Sequence, residues 1–177
     1  MTVDLIEPRT FAGRPSIDVI VPAYNEEACI EELVRRLTLV FDSESDFDWR
    51  AIIVENGSAD KTWPLLRDAA TRDERFKVVR LARNFHMDGG LTAGLEFASG
   101  DACIFMTADL QDPPEVLPKF AREWMAGYDN VYGLVTKREG TGVVRRFNSQ
   151  AFYFLANRMT SGRLTKNASD FRLMDRR

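Results

Sequence analysis

Cysteine is scarce in this chain: Cys29 and Cys103 are the only two among 177 residues. Two are too few for a disulfide framework, they are not spaced as a C-x-x-C metal pair, and they point to a reducing compartment. Long apolar runs are also missing. The longest are about six residues, such as Ala151–Ala156, where a membrane span needs ~20. The N-terminus lacks the basic-then-apolar layout of a secretory signal. Neither G-x-x-x-x-G-K nor G-x-G-x-x-G occurs, which argues against a P-loop ATPase and a dinucleotide dehydrogenase.

What remains is 45% hydrophobic and 29% charged, the make-up of an ordinary soluble globular protein, long enough to bury a core without staples. Residues 1–16, with Pro8, Gly13, Pro15 and no periodicity, read as a flexible tail; residues 17–177 read as one domain. The net charge of −3 hides an asymmetry. From Lys137 onward there are 10 Lys and Arg against 3 Asp and Glu, and before it 14 against 24. A basic end on an acidic body suits either a solvated face or a surface that meets phosphates, on a substrate or an anionic membrane.

Apolar runs and helical spacings alternate along the chain. Ile17–Pro22 predicts a buried strand stopped by Pro22, and Glu27–Phe41 a helix capped by Asn25. Trp49–Val54, Phe76–Leu81, Asp101–Thr107 and Val131–Val135 predict further strands. Helices are expected from Ser58 or Asp60 to about Thr71, over Asp88–Ser99, Pro113–Met125 and Val144–Met159. Such alternation predicts an α/β fold, a mainly parallel sheet with helices on both faces. Ligands of such sheets sit outside the carboxyl ends of the strands.

Three of those ends are polar and acidic: Pro22-Ala-Tyr-Asn-Glu26, Glu55-Asn-Gly-Ser58 with Asp60, and Thr107-Ala-Asp-Leu-Gln-Asp-Pro-Pro114. Carboxylates gathered there suit a hard divalent cation, Mg2+ or Mn2+, which takes oxygen ligands and shares them with substrate phosphates. Asp109 and Gln111, two residues apart at a strand exit, can point the same way. The alternative is that Asp109 and Asp112 are turn and cap residues before Pro113.

Val21-Pro-Ala-Tyr-Asn-Glu26, Val54-Glu-Asn-Gly-Ser-Ala-Asp60 and Thr107-Ala-Asp-Leu-Gln-Asp-Pro-Pro-Glu115 together resemble the family 2 glycosyltransferases of GT-A (Rossmann-like) fold. Arg83-Asn-Phe85, Leu91-Thr-Ala-Gly94, Tyr132-Gly133 and Ser169-Asp-Phe-Arg-Leu173 are similar to the branch of dolichol-phosphate mannose synthase and the bacterial polyprenyl-phosphate glycosyltransferases. The resemblance implies an inverting transfer of a sugar from a nucleotide diphosphate to a polyprenyl (dolichyl or undecaprenyl) phosphate, with UDP favoured over GDP. It places the nucleotide sugar against Pro22, Ala23, Tyr24, Glu26, Glu55, Asn84, Thr107, Ala108 and Asp109, with Glu55 where the family usually has an Asp that reads the base or ribose. The metal falls to Asp109 and Gln111. The acceptor phosphate falls to Arg138, Arg145, Arg146 and Ser149, since arginines grip phosphate oxygens bidentately. Asp109 and Arg138 would serve catalysis directly.

Departures from the branch leave alternatives open. Thr107 replaces a usual Asp, Val135 a usual Arg, and His86, the one histidine, a common Gly; His86 reads as a pocket-wall or surface residue rather than a base. Val135 and the missing spans favour a saccharide or other soluble acceptor, which needs a general base; Asp170 is the candidate. Thr107 and Glu55 favour a nucleotide-binding pseudoenzyme. The branch often continues into membrane segments, so either a trimmed catalytic domain or a naturally short form is expected, with the full-length protein at the cytoplasmic face of the membrane. No nucleic-acid partner is expected, and a homo-oligomer is allowed.

Overall fold

The computed structural model describes residues 7–134 and 168–177. The chain divides into two compact units, Met1–Val131 with Phe171–Arg177, and Tyr132–Asp170. Of the second unit only the end of one strand, Tyr132–Leu134, and the start of another, Ala168–Asp170, are described. The helix expected over Val144–Met159 lies outside the described residues.

Six strands form one sheet: β1 (Ser16–Ala23), β2 (Asp48–Glu55), β3 (Phe76–Arg80), β4 (Ala102–Phe105), β5 (Asn130–Leu134) and β6 (Ala168–Asp175), in the order β3-β2-β1-β4-β6-β5. β1 pairs in parallel with β2 and β4, β2 in parallel with β3, and β4 antiparallel with β6. The helices are α1 (Ile30–Ser43), α2 (Thr62–Arg72), α3 (His86–Phe97) and α4 (Leu117–Met125), the last entered through a 3-10 turn at Pro114–Val116. This is the expected α/β architecture. β6 was not anticipated, and β1 runs through Pro22 to Ala23 rather than stopping there.

Every residue of β1 from Ile17 to Ala23 is buried, as a central strand covered on both faces must be. Asp18 is among them, fully buried. Its carboxylate is satisfied by Arg50, with Nε at 2.8 Å, and by the Ser99 and Gly100 N–H groups, both at 2.7 Å. It therefore pins the loop entering β4 to the amino end of β1, and it obeys the rule that a buried charge must be paired. On one face α1 packs Ile30, Leu33 and Leu37 into the core beside Trp49, Phe76 and Leu117. α3 lies so close to the sheet that a Cβ at Gly94 would come within 2.3 Å of Ile20 Cγ2, so no larger residue fits.

Residues 7–15, part of the expected tail, make specific contacts with the rest of the first unit. Arg9 donates its backbone N–H to Met125 O and its Nε–H to Trp124 O, both at 2.8 Å, and pairs with Asp129 and Asp175. Phe11 leans on Trp124 with ring centroids 5.3 Å apart. An arginine that pairs two acids, with its side chain only 7% exposed, fastens the segment despite its Pro and Gly content.

Candidate active site

The strand order reverses at β1, which has β2 on one side and β4 on the other. Such a switch point opens a crevice at the carboxyl ends of the strands. A cleft of about 280 Å3 lies there. The end of β1 contributes Pro22, Ala23, Tyr24 and Glu26, and the end of β2 contributes Asn56. The β3–α3 connection contributes Asn84, the first turn of α3 contributes His86 and Met87, and the end of β4 contributes Thr107, Ala108 and Asp109. Eight of the nine residues expected at the nucleotide sugar therefore share one cleft.

The ninth, Glu55, is not among the residues that line the cleft. It is fully buried beneath the loop that follows it. One carboxylate oxygen accepts the Ser58 N–H and the other accepts Arg80 Nε–H at 3.0 Å. As the last residue of β2 its side chain turns into the structure and holds the Glu55–Ser58 bend. Gly57 makes that bend possible: its φ is +75°, and a Cβ there would meet the Arg83 backbone at 2.5 Å.

Asn56, the next residue, is buried as well and was not anticipated. Its Oδ1 accepts the Phe85 N–H and its Nδ2 donates to His86 O, both at 2.9 Å. It fixes the β3–α3 connection against the end of β2. The signal was available: an Asn beside a Gly at a strand end offers both a donor and an acceptor to a neighbouring backbone.

The β4 loop is built by side chains that bond back to it. Asp112 accepts the Thr107 N–H at 2.9 Å and the Thr107 hydroxyl at 3.0 Å. Thr107 thus donates to an acid at a place where a second acid would repel it. Asp109 Oδ1 accepts the Gln111 N–H at 3.2 Å, and Gln111 Nε2 donates to Asp109 Oδ2 at 2.7 Å. Asp109 and Asp112 thus both hold this loop, as the turn reading expected, although neither caps the 3-10 turn that follows, and Asp109 also lines the cleft. Asn25 does not cap α1; it adopts a φ of +54° and its Oδ1 accepts the Ala59 N–H, tying the β1 and β2 loops together.

Burial raises the Glu26 carboxyl above its usual range, helped by the negative charges of Asp109 and Asp60 and opposed by a hydrogen bond with Cys29. Among the described residues neither Glu26 nor Asp109 is paired with a Lys or Arg. Nor do three His, Cys, Asp or Glu side chains converge on one point among them. The donors available to a metal are the Asp109 carboxylate and the Gln111 amide. They suit Mg2+ or Mn2+, which commonly take one or two protein oxygens with substrate phosphates. Arg138, Arg145, Arg146 and Ser149, like Val135, lie outside the described residues. Asp170 is exposed near the start of β6. Both cysteines are free, and no helix among the described residues is long and apolar enough to cross a membrane.

Residues 18–177 match the sequence model of Glycosyl transferase family 2. The chain belongs to that family. A prophage bactoprenol glucosyl transferase homolog of Escherichia coli K12 is 33% identical over 160 residues, covering 90% of this chain and 52% of the relative. The bactoprenol glucosyl transferase of Shigella phage SfV is 34% identical with the same coverage. An uncharacterized glycosyltransferase of Synechocystis reaches 39%, over 91% of this chain and 50% of its own length. The chain thus spans about half the length of the curated relatives it matches. Glucosyl-3-phosphoglycerate synthase of Mycobacterium tuberculosis, solved with Mn2+, UDP and glucosyl-3-phosphoglycerate, has the same fold. Its TM-score is 0.67 at 23% identity, over 92% of this chain and 57% of the synthase. Family 2 membership and the GT-A fold are the two expectations these likenesses establish.

Proposed function

We propose that this family 2 chain binds a nucleotide diphosphate sugar in the cleft at the ends of β1, β2 and β4 and transfers the sugar, with inversion, to a polyprenyl phosphate. The observation that carries the reading is Asp109, set in that cleft by the Asp109–Gln111 turn and left without a basic partner among the described residues. The lipid-phosphate acceptor is supported by the bactoprenol glucosyl transferases that are 33–34% identical to this chain, and by the basic surplus after Lys137.

Pro22, Ala23 and Tyr24 would hold the base and ribose, with UDP favoured over GDP. Asp109, and Gln111 with its amide turned over, would hold Mg2+ or Mn2+. When bound, the ion neutralises the charge that develops on the departing diphosphate. An acceptor phosphate oxygen, already anionic at neutral pH, attacks the anomeric carbon as the bond to the nucleoside diphosphate breaks. No strong protein base is needed, so the protein's task is to position two anions and stabilise the leaving group. Arg138, Arg145 and Arg146, with Ser149, are proposed for the acceptor phosphate. The whole protein would work at the cytoplasmic face of the membrane.

Calorimetry with UDP- and GDP-sugars, with and without Mn2+, tests the donor half. Metal-dependent binding of one nucleotide, lost in Asp109→Ala, is expected; binding of neither overturns the reading. Transfer of labelled glucose from UDP-glucose to undecaprenyl phosphate in detergent micelles tests the acceptor half. Transfer to saccharides but not to the lipid would replace that acceptor and make Asp170 the base to examine.

A further inference from the structure

His86 is the only side chain lining the cleft among the described residues that can carry a positive charge. The other ionisable groups on its wall are the carboxylates of Glu26 and Asp109 and the phenol of Tyr24. A cleft of that composition repels a diphosphate unless something in it attracts one. The chain's one imidazole also sits where the backbone does not favour it. His86 has a φ of +62°, in the left-handed region that suits glycine. That conformation is over-determined: Asn84 Oδ1 accepts the His86 N–H at 2.7 Å, Asn56 Nδ2 donates to His86 O, and Asn56 Oδ1 accepts the neighbouring Phe85 N–H. Three hydrogen bonds from two asparagines hold the backbone at His86 in a disfavoured conformation on the cleft wall. Strain of this kind persists where the surroundings enforce it, and it collects at ligand sites. A glycine would satisfy the same backbone without strain, so the imidazole itself needs a reason to be there.

We propose that His86 is a donor-binding residue whose imidazole N–H contacts the diphosphate of the nucleotide sugar, with Asn56 and Asn84 as the residues that position it. This rests on the reading of the cleft as a nucleotide-sugar site. An imidazole offers an N–H in either protonation state, so the contact does not depend on the ring being charged. It faces the same diphosphate as the Asp109 loop but comes from the first turn of α3, so the leaving group would be held from two places.

The test compares His86→Asn and His86→Gly with the wild type. Both replacements accept the left-handed backbone, and glycine removes its strain. Binding of UDP and of uridine is measured by titration with Mn2+ present, or of GDP and guanosine if the wild type prefers GDP; melting temperatures are recorded alongside. The proposal expects UDP affinity to fall roughly tenfold in His86→Gly, the scale of one hydrogen bond to a charged group. A smaller fall is expected in His86→Asn, whose amide can still donate. Uridine affinity should stay within about twofold, and His86→Gly should melt no lower than the wild type. Unchanged UDP affinity in His86→Gly would overturn the proposal. So would a parallel loss of uridine and UDP affinity, since the side chain would then only shape the pocket. If the wild type binds neither nucleotide, the nucleotide-sugar reading itself fails, an outcome distinct from both.

Discussion

At the amino end of the sheet Asp18 is fully buried and meets Arg50, Ser99 N–H and Gly100 N–H. Beside it Asp101 accepts the Ser16 N–H and hydroxyl, both at 2.8 Å. At the carboxyl end Glu26 and Asp109 share a cleft, and neither has a Lys or Arg partner among the described residues. The first arrangement is what a fold needs from a buried acid. The second keeps two like charges near each other, and the Glu26 carboxyl is raised as a result of burial and of Asp109. Glu55 lies between the two cases: it belongs to the carboxyl end by position, yet it is buried and paired with Arg80 as at the amino end. Position at a strand end alone therefore does not decide an acid's surroundings: Glu55 is paired with a base, whereas Glu26 and Asp109 have no basic partner among the described residues.

The comparison breaks most sharply at Asp18. Asp18→Ala removes the acceptor for Ser99 N–H and Gly100 N–H and leaves Arg50 without its partner. Arg50 is 43% exposed on its side chain and can rehydrate, so the loss comes mainly from the orphaned backbone donors. A destabilisation of about 3 kcal/mol is expected in urea unfolding. Nucleotide affinity of the folded fraction should be unaffected. Asp109→Asn should give the reverse result: stability within about 0.5 kcal/mol of the wild type, and a fall in Mn2+-dependent nucleotide affinity of about a hundredfold by calorimetry. If Asp109→Asn instead melted early and kept its affinity, the two ends would not differ in kind.

Asn56 sharpens the contrast because it serves both purposes. It is 2% exposed, and it holds the backbone of the cleft wall rather than the ligand. Asn56→Ala should cost about 2 kcal/mol in unfolding free energy for the two part-buried backbone hydrogen bonds it removes, and should weaken nucleotide binding as well by releasing His86. Chemical denaturation and titration on the same sample check both effects.

How much of this was legible follows the range of each interaction. β1, β2 and α1 read cleanly because continuous apolar runs and 3.6-residue spacing are local signals. Seven cleft residues were legible because they sit next to strand ends, whereas Asn84 came only with the family resemblance. β6 was missed although Phe171 and Leu173 are buried at alternate positions, the pattern of a half-buried strand; Ser169-Asp-Phe-Arg-Leu173 was read as a motif and not as an element. Arg9 could not be read at all, since its partner Asp129 is 120 residues away in sequence. The burial of Glu55 was not legible for a related reason: its neighbours place it at a loop, while Arg80, 25 residues on, and the register of β2 turn it inward.

The smallest expected effect separates the two ends by pH. The Asp101 carboxyl is held below its usual range, first by the Ser16 N–H, against the opposing effect of burial, and then by the Ser16 hydroxyl and the charge of Arg176. A carboxyl lowered on folding contributes stability that is fully present above its unfolded value of about 3.9, and this is lost as pH falls through the folded value. Glu26 has the opposite sign. Its carboxyl is raised on folding, so its contribution is greatest below the unfolded value of about 4.3 and is lost as pH rises through the folded one. Between neutral pH and pH 3, Asp101→Asn should therefore flatten the loss of stability on acidification, by under about 1 kcal/mol because the group is only part-buried. Glu26→Gln should steepen that loss, by removing a group that favours folding as it protonates. Urea midpoints measured across that range in the two variants check the signs. Slopes that moved the same way would mean that the cleft acids are stabilised by the fold like those at the amino end, and the contrast between the two ends would fail.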